Sequence, residues 1–228
     1  WIMDKAGLED DMHIENKMVS KAVESAQSKV EGYHFEIRKH LVDYDDVINL
    51  HRDVIYTLRQ KILGGESLRD EIQVMVRKEL ESIVTERLTG PDEEWDTEGF
   101  IADIKTIFPF PPEDLLREDE IVEIDREEIV EILTEEIDKT HSQRVEEFGA
   151  ETMETIERHI LLRQIDTHWV EHLTAMENMR QGIGLQAVGQ RDPLVQYKHT
   201  SFQMFNELNS NIERDVAHMI YRVAPSQQ

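Results

Sequence analysis

Residues 179–198, MRQGIGLQAVGQRDPLVQYK, hold the stop of one helix and the start of the next. Gly182 stands where a helix C-terminus favours a residue that tolerates positive φ. Asp192-Pro193 then offers a side-chain oxygen to orphan backbone N–H groups, followed by a φ preset for the first helical turn. Upstream, Ile165, Trp169, Leu173 and Met176 recur at steps of three and four. Downstream, Tyr197, Phe205, Leu208, Ile212, Val216, Met219 and Val223 largely do the same. Two amphipathic helices joined by a short glycine-bearing loop form an antiparallel hairpin. The four upstream residues are the expected packing face of its first arm. The tip, residues 183–191, carries Leu185, Ala187 and Val188 where loops are ordinarily polar.

Toward the N-terminus a second pattern dominates. Val19, Val23, Ala26, Val30, Tyr33, Ile37, Leu41, Tyr44, Ile48, His51, Ile55, Leu58 and Ile62 fall at steps of three or four, the α-helical period. Such a helix is a rod of roughly 65 Å, longer than one compact domain of this size needs, so it is expected to be a spine for several neighbours. Gly32 interrupts it at a cost of about 1 kcal/mol, which the burial of a long stripe outweighs. Gly64-Gly65 ends the spine. A helix is expected over 67–88, with Leu68, Ile72, Val76, Leu80 and Ile83 on one face, and Thr89-Gly90-Pro91 breaks it. A short helix over 98–107 is stopped by Pro109, Pro111 and Pro112, and another opens near Asp125 with Ile129, Leu133 and Ile137. From about residue 140 the chain climbs through Met153, Ile156 and Ile160 into the hairpin. No period-two alternation persists, so the fold class is all-α: a long scaffold helix, a small helical wing insert, and an antiparallel hairpin packed along the scaffold. The expected divisions are 1–12, the tail of a preceding domain, then 13–63, 64–140 and 141–228.

Composition agrees with exposed helices. Only 39% of the 228 residues are hydrophobic and 32% are charged, below and above the respective globular averages. The net charge of -24 argues against a nucleic-acid partner and against an anionic membrane surface. Residues 64–140 hold 25 Asp and Glu against 8 Lys and Arg, a balance of -17. A solvated face explains that excess; a dock for a basic partner is the sharper alternative. No apolar run approaches the length of a transmembrane helix. The absence of cysteine fits a reducing compartment. A start at Trp1, with neither a basic nor an apolar leader, is the expectation for an excised piece without a secretory signal.

Three motifs invite chemistry. His168-Trp169-Val170-Glu171-His172 matches H-x-x-E-H, an inverted zinc-protease pattern, but Trp169 shares the stripe of Ile165 and Leu173, so the helix buries the face beside the two histidines. His172 is expected to pack the hairpin and His168 to be partly exposed, with no metal. No G-x-x-x-x-G-K-[ST] phosphate loop occurs. In Asp43-Tyr44-Asp45-Asp46 only Asp43 and Asp46 share a helical face, which is poor for a cation.

Residues 169–198, WVEHLTAMENMRQGIGLQAVGQRDPLVQYK, resemble the two-helix finger of the SecA family, motors of bacterial preprotein translocation. Residues 22–52, AVESAQSKVEGYHFEIRKHLVDYDDVINLHR, resemble that family's long scaffold helix. The likeness covers nearly the whole chain, most weakly from residue 64 to about residue 139. It implies the C-terminal part of such a motor. In that family the scaffold ties ATP-driven motions of the motor domains to the rest of the protein. The finger enters the cytoplasmic mouth of the SecY channel and touches the translocating polypeptide through its loop. Carried onto this sequence, the polypeptide and channel contact falls on Leu185, Gln186, Ala187, Val188 and Gly189. The contact with the motor falls on Arg38, Asp43, Tyr44, Asp45 and Asp46. The family usually places an aromatic about where Val188 stands, so an apolar contact survives here and stacking is lost. The implied partners are the parent's own motor and preprotein-binding domains, the SecY channel complex and preproteins, at the cytoplasmic face of the membrane. ATP and Mg belong to the motor domains, leaving this polypeptide with no cofactor and no ATP hydrolysis of its own. The alternative is a free-standing helical adaptor that binds partner helices along the same spine.

Overall fold

The computed structural model describes residues 17–65, 67–108, 116–186 and 192–222. Among them lie seven α-helices, a 3-10 turn at Asp92–Glu94, and no strand. The helices are α1 (Lys17–Leu63), α2 (Arg69–Arg87), α3 (Thr97–Ile107), α4 (Glu118–Ile121), α5 (Arg126–Phe148), α6 (Ala150–Gln186) and α7 (Pro193–Ile220). The chain divides into two compact units, residues 1–49 and 50–228. The described part of the first is the N-terminal stretch of α1, whose side chains from Ser20 to Val42 are all exposed.

The second unit is built on one apolar core. It includes Ile55 and Ile62 of α1, Ile72, Val76 and Leu80 of α2, and Phe100 and Ile104 of α3. Ile129, Leu133 and Ile137 of α5, Ile165 and Trp169 of α6, and Ile212 and Val216 of α7 complete it. Each such side chain removed from water stabilises the fold by roughly 1.5–3 kcal/mol. Helices α6 and α7 make the most extensive pairing. Gln164 meets Met219, His168 meets Asp215 and His172 meets Phe205. One index rises as the other falls, so the pair is antiparallel. Helix α2 lies against both α5 and α7, fastened at its edges by Gln73–Asp138 and Lys78–Glu213 contacts.

Local signals explain the starts of α3 and α7. Asp192 accepts a hydrogen bond from the Leu194 N–H at 2.9 Å and Pro193 opens α7, as the sequence predicts. Asp96 caps α3 by accepting from the Gly99 N–H at 3.0 Å. That bond holds the Asp96 carboxyl below its usual range, with the Arg87 guanidinium as the next cause. A Cβ on Gly99 would collide with the other oxygen of that carboxylate, Asp96 Oδ2, so this arrangement of the cap needs glycine there.

Two expectations are corrected. Gly182 does not end the first arm: it lies inside α6, which runs to Gln186. Ile183 continues the buried face begun by Met176, and its burial outweighs the glycine's cost of about 1 kcal/mol. The positive-φ glycines among the described residues are Gly65, Gly90 and Gly149. The last of these corrects the expected climb from residue 140. Gly149, at φ +84°, stops α5 at Phe148 and lets α6 start at Ala150 in a new direction.

Candidate functional site

The stripe of α1 has two fates. In the first unit Val30, Tyr33 and Leu41 are 54%, 67% and 52% exposed. Phe35 and Val42, off the strict stripe, are exposed as well. Large apolar side chains repeated over so long an exposed stretch are of the kind that proteins use for association. It is also nearly neutral, with 5 Lys and Arg against 6 Asp and Glu over residues 17–49, in a chain of net charge -24. Of the expected motor contacts, Arg38, Asp45 and Asp46 are exposed, while Asp43 and Tyr44 are half-buried.

In the second unit the same stripe is buried. His51, Ile55 and Ile62 are covered and Leu58 is half-buried. His51 Nδ1 lies 3.1 Å from His172 Nε2 of α6 in a buried hydrogen bond. Phe205 of α7 stacks on His51 with centroids 4.2 Å apart and planes 12° apart. Trp169 stacks on His172 at 5.6 Å and 26°. Burial holds the His51 imidazole below its ordinary pKa. For His172, burial first and the neighbouring His51 second pull the value down to about 4. Of the expected packing residues, Trp169 stands at this junction; Ile165 and Met176 are also buried and Leu173 is half-buried. A further link is the Arg59–Asp166 ion pair between α1 and α6.

The H-x-x-E-H segment is thereby accounted for. His168 Nε2 engages Asp215 at 2.8 Å and its Nδ1 faces Glu171 at 3.4 Å, while His172 turns to α1. Among the described residues no three His, Cys, Asp or Glu side chains gather as a metal set. The sequence placed His51 on the stripe, but nothing in it announced a partner 121 residues away.

Of the five expected tip residues, two fall at the end of a described helix. Leu185 and Gln186 form the end of α6, and their side chains, with Ala187, Val188 and Gly189, lie outside the described residues. No helix among the described residues is long and apolar enough to cross a membrane.

Comparison with known proteins agrees with this architecture. The profile of the SecA Wing and Scaffold domain matches residues 13–224. Protein translocase subunit SecA of Dehalococcoides mccartyi (strain CBDB1) is 45% identical over 97% of this chain and 23% of its own length. SecA of Roseiflexus sp. (strain RS-1) is 39% identical over 98% of this chain, again 23% of its own length. SecA 1 of Clostridioides difficile (strain 630) is 42% identical over 97% of the chain and 24% of its own. The chain thus spans about a quarter of the length of the curated relatives it matches. An all-α chain with a long scaffold helix, a packed helical hairpin and this profile over nearly its whole length belongs to the SecA wing and scaffold family.

Proposed function

We propose that this chain is the coupling segment of a SecA-type translocation motor, joining ATP-driven motor domains to a finger that contacts preprotein at the SecY channel. The observation that supports the reading best is the divided fate of α1. Its unpartnered apolar stripe before residue 43 suits docking to the parent's motor and preprotein-binding domains, and from His51 onward it is buried, with His172 and Phe205 of the hairpin against His51. On this reading residues 1–12 are the tail of the preceding motor domain, 13–63 the scaffold and 64–140 the wing. Residues 141–228 are then the finger and the C-terminal scaffold helix. ATP and Mg are held by the motor domains, and the chain alone binds neither ATP nor zinc. The complete motor works in the cytoplasm at the inner face of the membrane.

The docking half is tested with the remaining motor domains supplied as a separate polypeptide. Tyr33→Asp places a charge on the exposed stripe, and should weaken that association at least tenfold. It should leave the chain's own stability within about 0.5 kcal/mol, because Tyr33 makes no core contact. Unchanged affinity would remove the stripe from the motor interface and favour a free-standing adaptor.

The finger half is tested at the tip within the full-length motor. A contact with a polypeptide of ever-changing sequence selects shape and modest apolarity rather than fixed hydrogen bonds. Val188→Asp should impair transport while sparing basal ATP hydrolysis and thermal stability. Val188→Tyr should be tolerated or better. Transport indifferent to both changes would reduce the tip to a connector.

A further inference from the structure

We propose that His51 and His172 form a proton-operated joint between α1 and the hairpin, closed when both rings are neutral and opened when both carry protons. The inference rests on the contact itself and stands whether or not the chain serves translocation. Two neutral imidazoles 3.1 Å apart share one N–H···N hydrogen bond, one ring donating and the other accepting. A first added proton makes an imidazolium that still donates to its neutral neighbour, with the aromatic faces of Phe205 and Trp169 partly offsetting its burial. A second proton sets N–H against N–H at the same distance, a repulsion that moving the two rings apart relieves. The joint therefore distinguishes one proton from two.

Among the described residues the surroundings offer no counter-charge in contact with the pair. On α1, Arg52 and Asp53 flank His51, and Arg59 is engaged by Asp166 of α6. On α6, His168 and Glu171 lie one turn from His172, and His168 is taken by Asp215 of α7. From α7, Glu207 lines the same cleft of about 170 Å³ as His172 and Glu171. None of these carboxylates bonds either ring of the pair among the described residues. The aromatic box of Trp169 and Phe205 thus receives the protons without an anion to hold them.

The sign of the response follows. His172 sits lower in the closed joint, at about 4, than its ordinary 6.5. Closure is therefore fully favoured above about pH 6.5 and is lost progressively as pH falls toward 4. One such group lowers the closing constant about tenfold for each pH unit across that window, or about 300-fold in all.

The experiment uses the whole chain, which contains no cysteine. Thr57→Cys on α1 and Thr167→Cys on α6, both exposed, take spin labels at unique positions. At pH 8 the expected distance distribution is single and short. Toward pH 5 a longer population should grow while helicity, followed by circular dichroism, holds. The His51→Gln/His172→Gln pair retains one hydrogen bond but does not titrate, and should keep the short distance throughout. Three results would overturn the joint: a distribution indifferent to pH, a double variant that responds as the native chain does, or separation that coincides with loss of helicity. Should the double variant not fold, ring-carbon NMR titration of the native chain decides. A His172 midpoint near 4, coupled to a shift at His51, supports the proposal, and an independent midpoint near 6.5 overturns it.

Discussion

Trp169→Ala should lower the stability of the chain by about 3–5 kcal/mol, the range for truncating a buried aromatic in a packed core. Trp169 is 7% exposed and belongs to the central core with Ile55, Ile165 and Ile212. Its indole also covers one face of His172, so its removal opens a void and admits water to the His51–His172 bond. That bond then competes with water on both sides, and its net contribution of about 1 kcal/mol is at risk as well. For a chain of this length each 1 kcal/mol moves the melting temperature by about 2–4 °C, so a loss of roughly 6–20 °C is expected in a thermal melt. Trp169→Phe should recover part of it by refilling the apolar volume. A melt unmoved by the alanine change would mean that Trp169 faces solvent, and that the hairpin meets α1 through other residues.

The parts of this fold that were legible in the sequence share a physical cause. A stripe such as Val23–Val30–Leu41–Ile55–Ile62 records helical periodicity directly, because the apolarity of one face is written within the element that bears it. The Asp192-Pro193 cap was equally readable, since both of its effects act within one turn. What escaped depends on distant partners or on competition between local and tertiary terms. Gly182 looked like a stop, but burial of Ile183 carries the helix through it. Gly149 gave little warning, because the residues on either side suit a helix and only a positive φ reveals the break. The periodicity of α1 could say that a face is apolar but not what covers it. In the structure that face is buried at His51, Ile55 and Ile62, with His172 and Phe205 of the hairpin against His51, while Val30 and Tyr33 remain open. His51 and His172 were each placed on a packing face, yet their pairing is a fact of tertiary structure alone.

The joint between α5 and α6 carries the second large effect. His141 Nε2 and Glu157 Oε1 lie 2.9 Å apart, with side chains only 8% and 3% exposed. They bridge the two helices just inside the Gly149 break. Close by, the buried Tyr221 phenol is pushed far above its ordinary range, first by burial and then by the charges of Glu157 and Asp138. Removing the imidazole alone strands a carboxylate where water cannot reach it, so His141→Ala should cost about 3–5 kcal/mol at pH 8. The test of that cause is non-additivity. In His141→Ala/Glu157→Gln no charge is stranded, and the double variant should be more stable than His141→Ala by about 1–3 kcal/mol. Chemical denaturation of the native chain and the two variants reads all of this. If the double variant is the less stable one, the imidazole serves as packing volume, and the α5–α6 corner is held by Gly149 and its apolar neighbours rather than by the buried pair.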